Sequence, residues 1–118
     1  MMAEGKKLLG MIGMCRKAGK TVIGVPMICE HMRKAAEKNK ALSDFIVIEA
    51  ADTSENTHKK ISDKCIYYKV KHVRIDSSCE ELGATLGKSA VAAVAIADAS
   101  FCRAIESRLS ELDETTTQ

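Results

Sequence analysis

The segment Ala18-Gly19-Lys20-Thr21 ends like a phosphate-binding P-loop, in which backbone N–H groups hold the phosphates of a nucleotide. That motif needs an earlier glycine with four residues between it and the Gly-Lys pair. Met14 occupies the required position, and Gly13 lies one residue too early. A P-loop also joins a strand to a helix, whereas this segment follows a predicted helix. The spacing therefore argues against nucleotide hydrolysis.

Cysteines and histidines are the other residues that could bind a metal ion or act as nucleophiles. No two cysteines form a C-x-x-C pair, and no histidine stands at a recurring ligand spacing from them. Cys29 and His31 lie two residues apart on a predicted helix, so their side chains point to different sides. The paired acids Glu80 and Glu81 are typical of a helix N-terminus. The sequence therefore predicts no catalytic residue, no metal site and no cofactor, and it predicts reduced cysteines that pack as small apolar side chains.

The net charge of +2 hides a gradient along the chain. Residues 1–40 carry nine Lys/Arg against three acids, residues 41–74 carry six against five, and residues 75–118 carry three against eight. A basic first third and an acidic last third indicate one face offered to a polyanion and another kept away from it. The alternative is that these charges simply solvate helix faces, and charge alone does not separate the two interpretations.

Helical and strand periodicities alternate with few breaks, which predicts a layered α/β domain. The wholly apolar runs 45–48 and 91–96 are typical of strands buried on both faces. Shorter strands are predicted at 21–23 and 72–75. The chain has no internal repeat and no linker, so we expect one domain over residues 1–112 and a disordered polar tail over 113–118. No apolar stretch approaches the roughly 20 residues needed to span a bilayer, which favours a cytoplasmic protein that does not bind membranes.

Helix boundaries are marked by capping residues. Pro26 suits the first turn of the second helix, and Asp52 marks the start of the third. The pattern Ser78-x-x-Glu81 is a capping box that opens a short fourth helix ending at Gly87. Asp98 is placed to cap the last helix. With a first helix beginning at Glu4, the pattern predicts about five helices.

Several short motifs together resemble one family. They are Leu8-Leu9-Gly10, Arg16-Lys17-Ala18-Gly19-Lys20, Asp52-x-Ser54-Glu55-Asn56-Thr57, Asp63-Lys64-Cys65, Glu81-Leu82-Gly83 and Leu86-Gly87-Lys88. The chain is identified by them as similar to the YlxQ-type bacterial branch of the kink-turn-binding ribosomal proteins. This resemblance implies a three-layer α-β-α sandwich with a four-stranded mixed sheet. It also implies an RNA-binding ribonucleoprotein component that is not an enzyme.

The resemblance places the RNA site at one end of the sheet, in a strand-Gly-helix junction and in the loop before the last strand. Gly24 matches the junction glycine, Lys20 matches a lysine before the junction strand, and Lys34 matches a basic residue farther along the helix. The implied RNA-binding residues are Lys20, Gly24, Val25, Met27, Lys34, Gly87, Lys88, Ser89 and Ala90. We expect Lys20, Lys34 and Lys88 to converge near Gly24.

Three junction positions depart from the archaeal pattern of the family. Pro26 and Met27 stand where that pattern has Asn and Glu, and Glu30 stands where it has Lys. These differences remove base-edge hydrogen bonds and place an anion near the phosphates. We therefore expect weak kink-turn binding that is mainly electrostatic.

Two functions remain open at this point. The first is a ribosome-associated protein that binds structured RNA, either ribosomal RNA or another kink-turn RNA, with ribosome-associated proteins as further partners. The chain has two Phe, two Tyr and no Trp, which favours recognition of RNA shape over stacking of single-stranded bases. The second is a protein-interaction module that has kept the fold and lost kink-turn binding, with an apolar surface around Val25, Pro26 and Met27.

Overall fold

Helices and strands alternate along the chain as the periodicity predicts. The computed structural model describes residues 5–117 and the side chains of residues 7–109. The helices are α1 Gly5–Lys17, α2 Val25–Glu37, α3 Glu55–Tyr68, α4 Cys79–Thr85 and α5 Ala99–Thr117. The strands are β1 Thr21–Ile23, β2 Phe45–Glu49, β3 Lys71–Arg74 and β4 Ala93–Ala97. The predicted start of the first helix at Glu4 lies outside the described residues.

The strands form one mixed sheet in the order β1-β4-β2-β3. Strand β4 pairs antiparallel with both β1 and β2, whereas β2 pairs parallel with β3. The run 45–48 is buried throughout, and within the run 91–96 only Ala92 is partly exposed. Strands with neighbours on both edges and helices on both faces have continuous apolar sequences. The predicted burial is confirmed for the run 45–48 and for residues 93–96, whereas Val91 and Ala92 precede β4 and are not part of the sheet.

Side chains alternate along β2 between two helical layers. Ile46 and Ile48 pack in the cluster that includes residues of α1, α4 and α5. Phe45 and Val47 pack in the cluster that includes residues of α2 and α3. The fold is therefore a three-layer α-β-α sandwich around a four-stranded mixed sheet, as predicted.

Side chains cap the N-termini of α3, α4 and α5, and one of the three caps differs from the prediction. The capping box is present: Glu81 N–H donates to Ser78 Oγ at 3.1 Å, and Ser78 N–H donates to Glu81 Oε1 at 2.9 Å. Asp98 accepts from the N–H of Phe101 at 3.0 Å and caps α5. Asp52, by contrast, does not cap α3, because Ser54 occupies the N-cap position.

Asp52 instead connects two separate segments of the chain. Its Oδ1 accepts a hydrogen bond of 2.7 Å from the N–H of Cys79, the first residue of α4. The loop between β2 and α3 is thus held against the start of α4. An aspartate can cap its own helix or accept a hydrogen bond from a distant N–H, and the sequence alone does not show which of these roles Asp52 has.

The backbone of α5 remains helical to Thr117 and includes most of the segment expected to be a disordered tail. The disorder expected for the tail stays a prediction. No Gly or Pro occurs after residue 98, so nothing in the sequence forces the helix to stop where its apolar stripe ends. Among the described residues, no helix is both long enough and apolar enough to cross a membrane.

Gly83 in α4 allows the chain after the helix to lie directly against it. A Cβ atom on Gly83 would lie 2.7 Å from Cα and 2.8 Å from N of Ala90. The backbone there is held on both sides, because Lys88 N–H donates to Gly83 O at 2.8 Å and Val91 N–H donates to Cys79 O at 2.9 Å. The glycine therefore sets the position of the loop 87–90.

We expect Gly83→Ala to lower the free energy of unfolding by about 1–3 kcal/mol, since the added methyl group overpacks against fixed backbone. The matched control is Gly10→Ala in α1, where a Cβ would meet no atom within 4 Å. That variant should gain up to about 1 kcal/mol from helix propensity. Urea unfolding of both variants measures the difference. A Gly83→Ala protein as stable as Gly10→Ala would show that the loop moves freely away from α4.

Candidate nucleic-acid interface

The junction between β1 and α2 is built on Gly24. Its φ of +92° lies in the region that favours glycine, and its C=O accepts the N–H of Ile28 at 3.0 Å as α2 begins. Its own N–H donates to the carbonyl of Ala93, the first residue of β4, at 3.0 Å. The junction is thus held at the end of the sheet where β4 begins.

The N-terminus of α2 carries no side-chain cap from the described residues. Pro26 has no N–H to donate, so Val25 and Met27 supply the donors of the first three helical positions. The positive end of the helix dipole favours an anion at this place. Val25 packs its side chain partly into the cluster under α2 and α3. It therefore offers backbone rather than side chain to a ligand.

The loop Gly87–Ala90 follows α4 and is held against it, as described for Gly83. Gly87 has a φ of +72°, and the four residues of the loop are exposed. Small exposed residues beside one lysine allow close approach of a polyanion backbone. The loop then enters β4 through residues 91 and 92.

The end of this loop lies next to the Gly24 junction. Ala90 precedes Ala93 by three residues, and Ala93 is the acceptor for the N–H of Gly24. On the other side of the loop end, Ala50 N–H donates to Ala92 O at 2.9 Å. The structure therefore brings the junction and the end of the loop to one end of the sheet.

Lys20 lies at the opposite end of β1. Its carbonyl accepts the N–H of Ala97, the last residue of β4, at 2.9 Å, whereas Gly24 bonds to Ala93 at the first residue. Four residues of extended strand separate Lys20 from Gly24 by about 13 Å. The expected convergence of three lysines near Gly24 is therefore wrong for the backbone of Lys20. The reason is that strand β1 lies between the two residues, and an extended strand places its preceding and following residues at opposite ends.

Lys34 also lies away from the junction, about 14 Å from Val25 along the axis of α2. It lines a groove of about 390 Å³ between α2 and the edge strand β1, together with Thr21, Val22, Ile23, Met27, Glu30 and His31. Met27 is 60% exposed there. Of the predicted residues, Met27 and Lys34 thus share a groove, while Gly24 and Val25 share the sheet end with the loop.

Acidic residues neutralise the basic side chains on the outer face of α2. Arg33 Nη2 lies 2.6 Å from Glu30 Oε1, and its Nη1 lies 2.5 Å from Glu37 Oε1. Lys34 Nζ lies 3.8 Å from the same oxygen of Glu30. The hydrogen bond from Arg33 lowers the pKa of Glu30, which is fully ionised at neutral pH. These four side chains carry no net charge, so this face attracts phosphate weakly.

Arg16 is a neighbour of the loop that the sequence analysis did not assign to the site. A Cβ atom on Gly87 would lie 2.7 Å from Arg16 Nη2 and 3.2 Å from its Cζ. The guanidinium from the end of α1 therefore covers Gly87, beside Lys88. Arg16 belongs to the basic motif 16–20, which indicated a charged surface. The contact with Gly87 could not be predicted, because the two residues are far apart in the sequence.

Two curated proteins are similar in sequence to the chain, and both are named RNA-binding protein YlxQ. The one from Bacillus subtilis (strain 168) is 33% identical over 106 residues, which cover 90% of this chain and 98% of the relative. The one from Enterococcus faecium is 38% identical over 81 residues, which cover 67% of this chain and 72% of the relative.

A solved structure of a protein with unknown function from Bacillus halodurans C shares the fold, with a TM-score of 0.67 and 24% identity. The match covers 86% of this chain and 95% of the other.

Residues 6–105 match the family described as Ribosomal protein L7Ae/L30e/S12e/Gadd45. This match covers all nine elements except the first residue of α1 and the end of α5, and it confirms the family resemblance predicted from the motifs. The chain belongs to the ribosomal protein L7Ae/L30e/S12e/Gadd45 family.

Proposed function

We propose that the chain is a cytoplasmic, ribosome-associated protein that binds structured, kink-turn-like RNA through the Gly24 junction and the Gly87–Ala90 loop. The family match and the names of the two curated relatives support RNA binding and indicate a protein that is not an enzyme. Its partners are ribosomal or other kink-turn RNA and ribosome-associated proteins.

One hydrogen bond supports this proposal most directly. The bond from Gly24 N–H to Ala93 O joins the start of α2 to the chain that leaves the loop. An uncapped helix N-terminus and a loop of small residues thus lie at the same sheet end, where one RNA backbone can reach both. The contacts available are backbone donors and cations, which position RNA without reading its sequence.

Arg16 and Lys88 supply the positive charge that the face of α2 lacks. Arg16 covers Gly87, and Lys88 is the next residue of the loop. Both side chains belong to exposed residues, so they can neutralise phosphates. Binding then depends on phosphate contacts at the loop and on the dipole of α2, with little base-edge readout at positions 26, 27 and 30.

A protein-interaction module is the second candidate function, and the groove beside β1 favours it. Strand β1 is an edge of the sheet, and the exposed Met27 lines the groove with it. An extended peptide can add to such an edge while its apolar side chains fill the groove. RNA binding predicts that Met27→Ala leaves RNA affinity nearly unchanged, whereas a protein partner held in this groove would be lost.

We expect RNA affinity to fall steeply with salt and to differ little between a standard kink-turn and an unbent duplex of equal length. Each phosphate contact contributes a slope of about −0.9 in the logarithm of affinity against the logarithm of salt concentration. Fluorescence anisotropy at several salt concentrations measures both quantities. Strong kink-turn selectivity of the unmodified protein would contradict this prediction and reveal base contacts outside the three altered positions.

We expect Arg16→Gln and Lys88→Gln each to weaken binding to both RNAs and to reduce the salt slope by about one. The matched control is Lys64→Gln on the exposed face of α3. It removes the same charge from α3, which covers the opposite face of the sheet from α1 and α4, and should leave the slope unchanged. Equal effects of the three substitutions would show that binding follows net charge rather than contacts at the loop.

We expect the combined substitutions Pro26→Asn, Met27→Glu and Glu30→Lys to raise selectivity for the kink-turn. They restore an N–H and an amide at position 26, a carboxylate at 27 and a cation at 30, and each good base-edge contact contributes about 1–3 kcal/mol of discrimination. Together they raise the net charge by one, so the control is Asp63→Asn on α3, which raises it equally. Equal gains on kink-turn and unbent RNA would count against recognition at this junction.

A further inference from the structure

Glu49 is a wholly buried carboxylate that sits among nitrogen and oxygen donors. Its side chain is 0% exposed at the end of β2. Nδ1 of His58 lies 2.8 Å from its Oε1, and Nε2 of His72 lies 2.8 Å from the same oxygen. Its other oxygen, Oε2, accepts the hydroxyl of Thr53. His58 Nδ1 also lies 2.9 Å from Oε2, so Oε1 contacts two imidazoles while Oε2 contacts one imidazole and Thr53.

Three separate elements bring these side chains together. In the parallel pairing of β2 with β3, Val47 lies opposite His72. Glu49 follows Val47 by two residues and therefore faces the same side of the sheet as His72. His58 comes from the first turn of α3, where its N–H donates to the Ser54 carbonyl at 2.9 Å. The ligand atoms of Glu49, His58 and His72 all lie within 4.8 Å of one another.

Two imidazole nitrogens and one carboxylate oxygen form a donor set that suits divalent transition-metal ions. Zn²⁺ binds histidine nitrogen at about 2.0–2.1 Å and carboxylate oxygen at about 2.0–2.2 Å. Ligand atoms around one such ion are therefore roughly 3.3 Å apart. The observed 2.8 Å from Glu49 Oε1 to each nitrogen needs only a small widening to admit the ion. The His58 side chain is 40% exposed and can supply that movement.

Glu49 also has a hydrogen-bond partner outside the three candidate ligands. The hydrogen bond from Thr53 orients the second oxygen, and outer groups of this kind commonly support metal ligands.

Arg74 approaches the second oxygen of the Glu49 carboxylate, Oε2, which His58 also contacts. Its Nε is 3.8 Å from Glu49 Oε2, and its Nη2 donates to the carbonyl of Ala51 at 2.8 Å. The guanidinium is thus held by backbone and faces the oxygen that Thr53 also contacts. Oε1, the oxygen that both histidines contact, is not the one that Arg74 approaches.

Solvent reaches the cluster from the side of the histidines. The side chain of His72 is 17% exposed, less than that of His58, while Glu49 is closed off beneath them. An ion could therefore enter past His58, and water could occupy its remaining coordination positions. Three protein ligands with an open position fit an accessible site better than a closed structural one.

We propose that Glu49, His58 and His72 bind one divalent transition-metal ion, Zn²⁺ in the first instance, through Oε1, Nδ1 and Nε2. The site lies at the same end of the sheet as the Gly24 junction, because Glu49 pairs with Ala93 and Ala93 accepts the N–H of Gly24. The inference rests on the geometry of these three side chains and not on RNA binding.

The test is a Zn²⁺ titration of the full chain, after removal of metal with a chelator, against a competing chromogenic chelator. The unmodified protein should bind one ion per chain. His58→Gln and His72→Gln should each weaken binding at least tenfold. His31→Gln makes the same chemical change on α2, where the ring stacks on Phe45 at 4.7 Å, and it should bind as the unmodified protein does.

Two further measurements separate this site from binding by the five cysteines and from loss of fold. Substitution by Co²⁺ should give a spectrum without the intense thiolate charge-transfer absorption that cysteine ligands produce. Zn²⁺ should raise the unfolding temperature of the unmodified and His31→Gln proteins but not that of His58→Gln. His58→Gln is used here because His58 is more exposed than His72, so its substitution disturbs the fold less. Three results would each overturn the proposal. They are a failure to bind one ion per chain, the presence of thiolate absorption in the Co²⁺ spectrum, and undiminished affinity in His58→Gln and His72→Gln.

Discussion

The pairing of β4 with strands on both of its sides is the constraint on which the other features depend. β4 pairs with β1 on one side and with β2 on the other. Both pairings place a residue of the candidate sites beside Ala93. Gly24 bonds to Ala93 across one edge, and Glu49 pairs with it across the other. A shift by one residue would reverse the face of every side chain in the strand. The apolar burial of β4 on both faces therefore also sets where the junction and the Glu49 cluster lie.

The two faces of β4 differ in residue size, and this difference matches the helices that cover them. Val94 and Ile96 pack in the cluster with α1, α4 and α5, whereas Ala93 and Ala95 pack in the cluster with α2 and α3. Small side chains on the second face leave room for large ones from the helices, since packed layers fill space by pairing large residues with small ones. Glu49, one of two buried polar residues in the described part of the chain, lies on this same side of the sheet.

Charge at the candidate RNA interface is distributed differently from what the lysine positions suggest. The cations on α2 are paired with acids of the same helix, and an exposed pair of this kind is screened and attracts an outside phosphate weakly. Arg16 instead lies over a glycine of the loop. The effective basic surface therefore depends on which acids lie beside each cation, and α1 contributes to it through a contact with the α4–β4 loop.

The sequence by itself determined the order of the elements, the two buried runs, the capping box and the family, because periodicity, helix caps and short motifs are properties of neighbouring residues. It did not determine which residues meet. The acid at position 52 bonds to the start of α4 rather than capping its own helix. The cluster of Glu49, His58 and His72 joins residues up to 23 positions apart through a parallel strand register. Only the tertiary structure decides such contacts, since strand register and helix packing depend on the burial of the whole sheet.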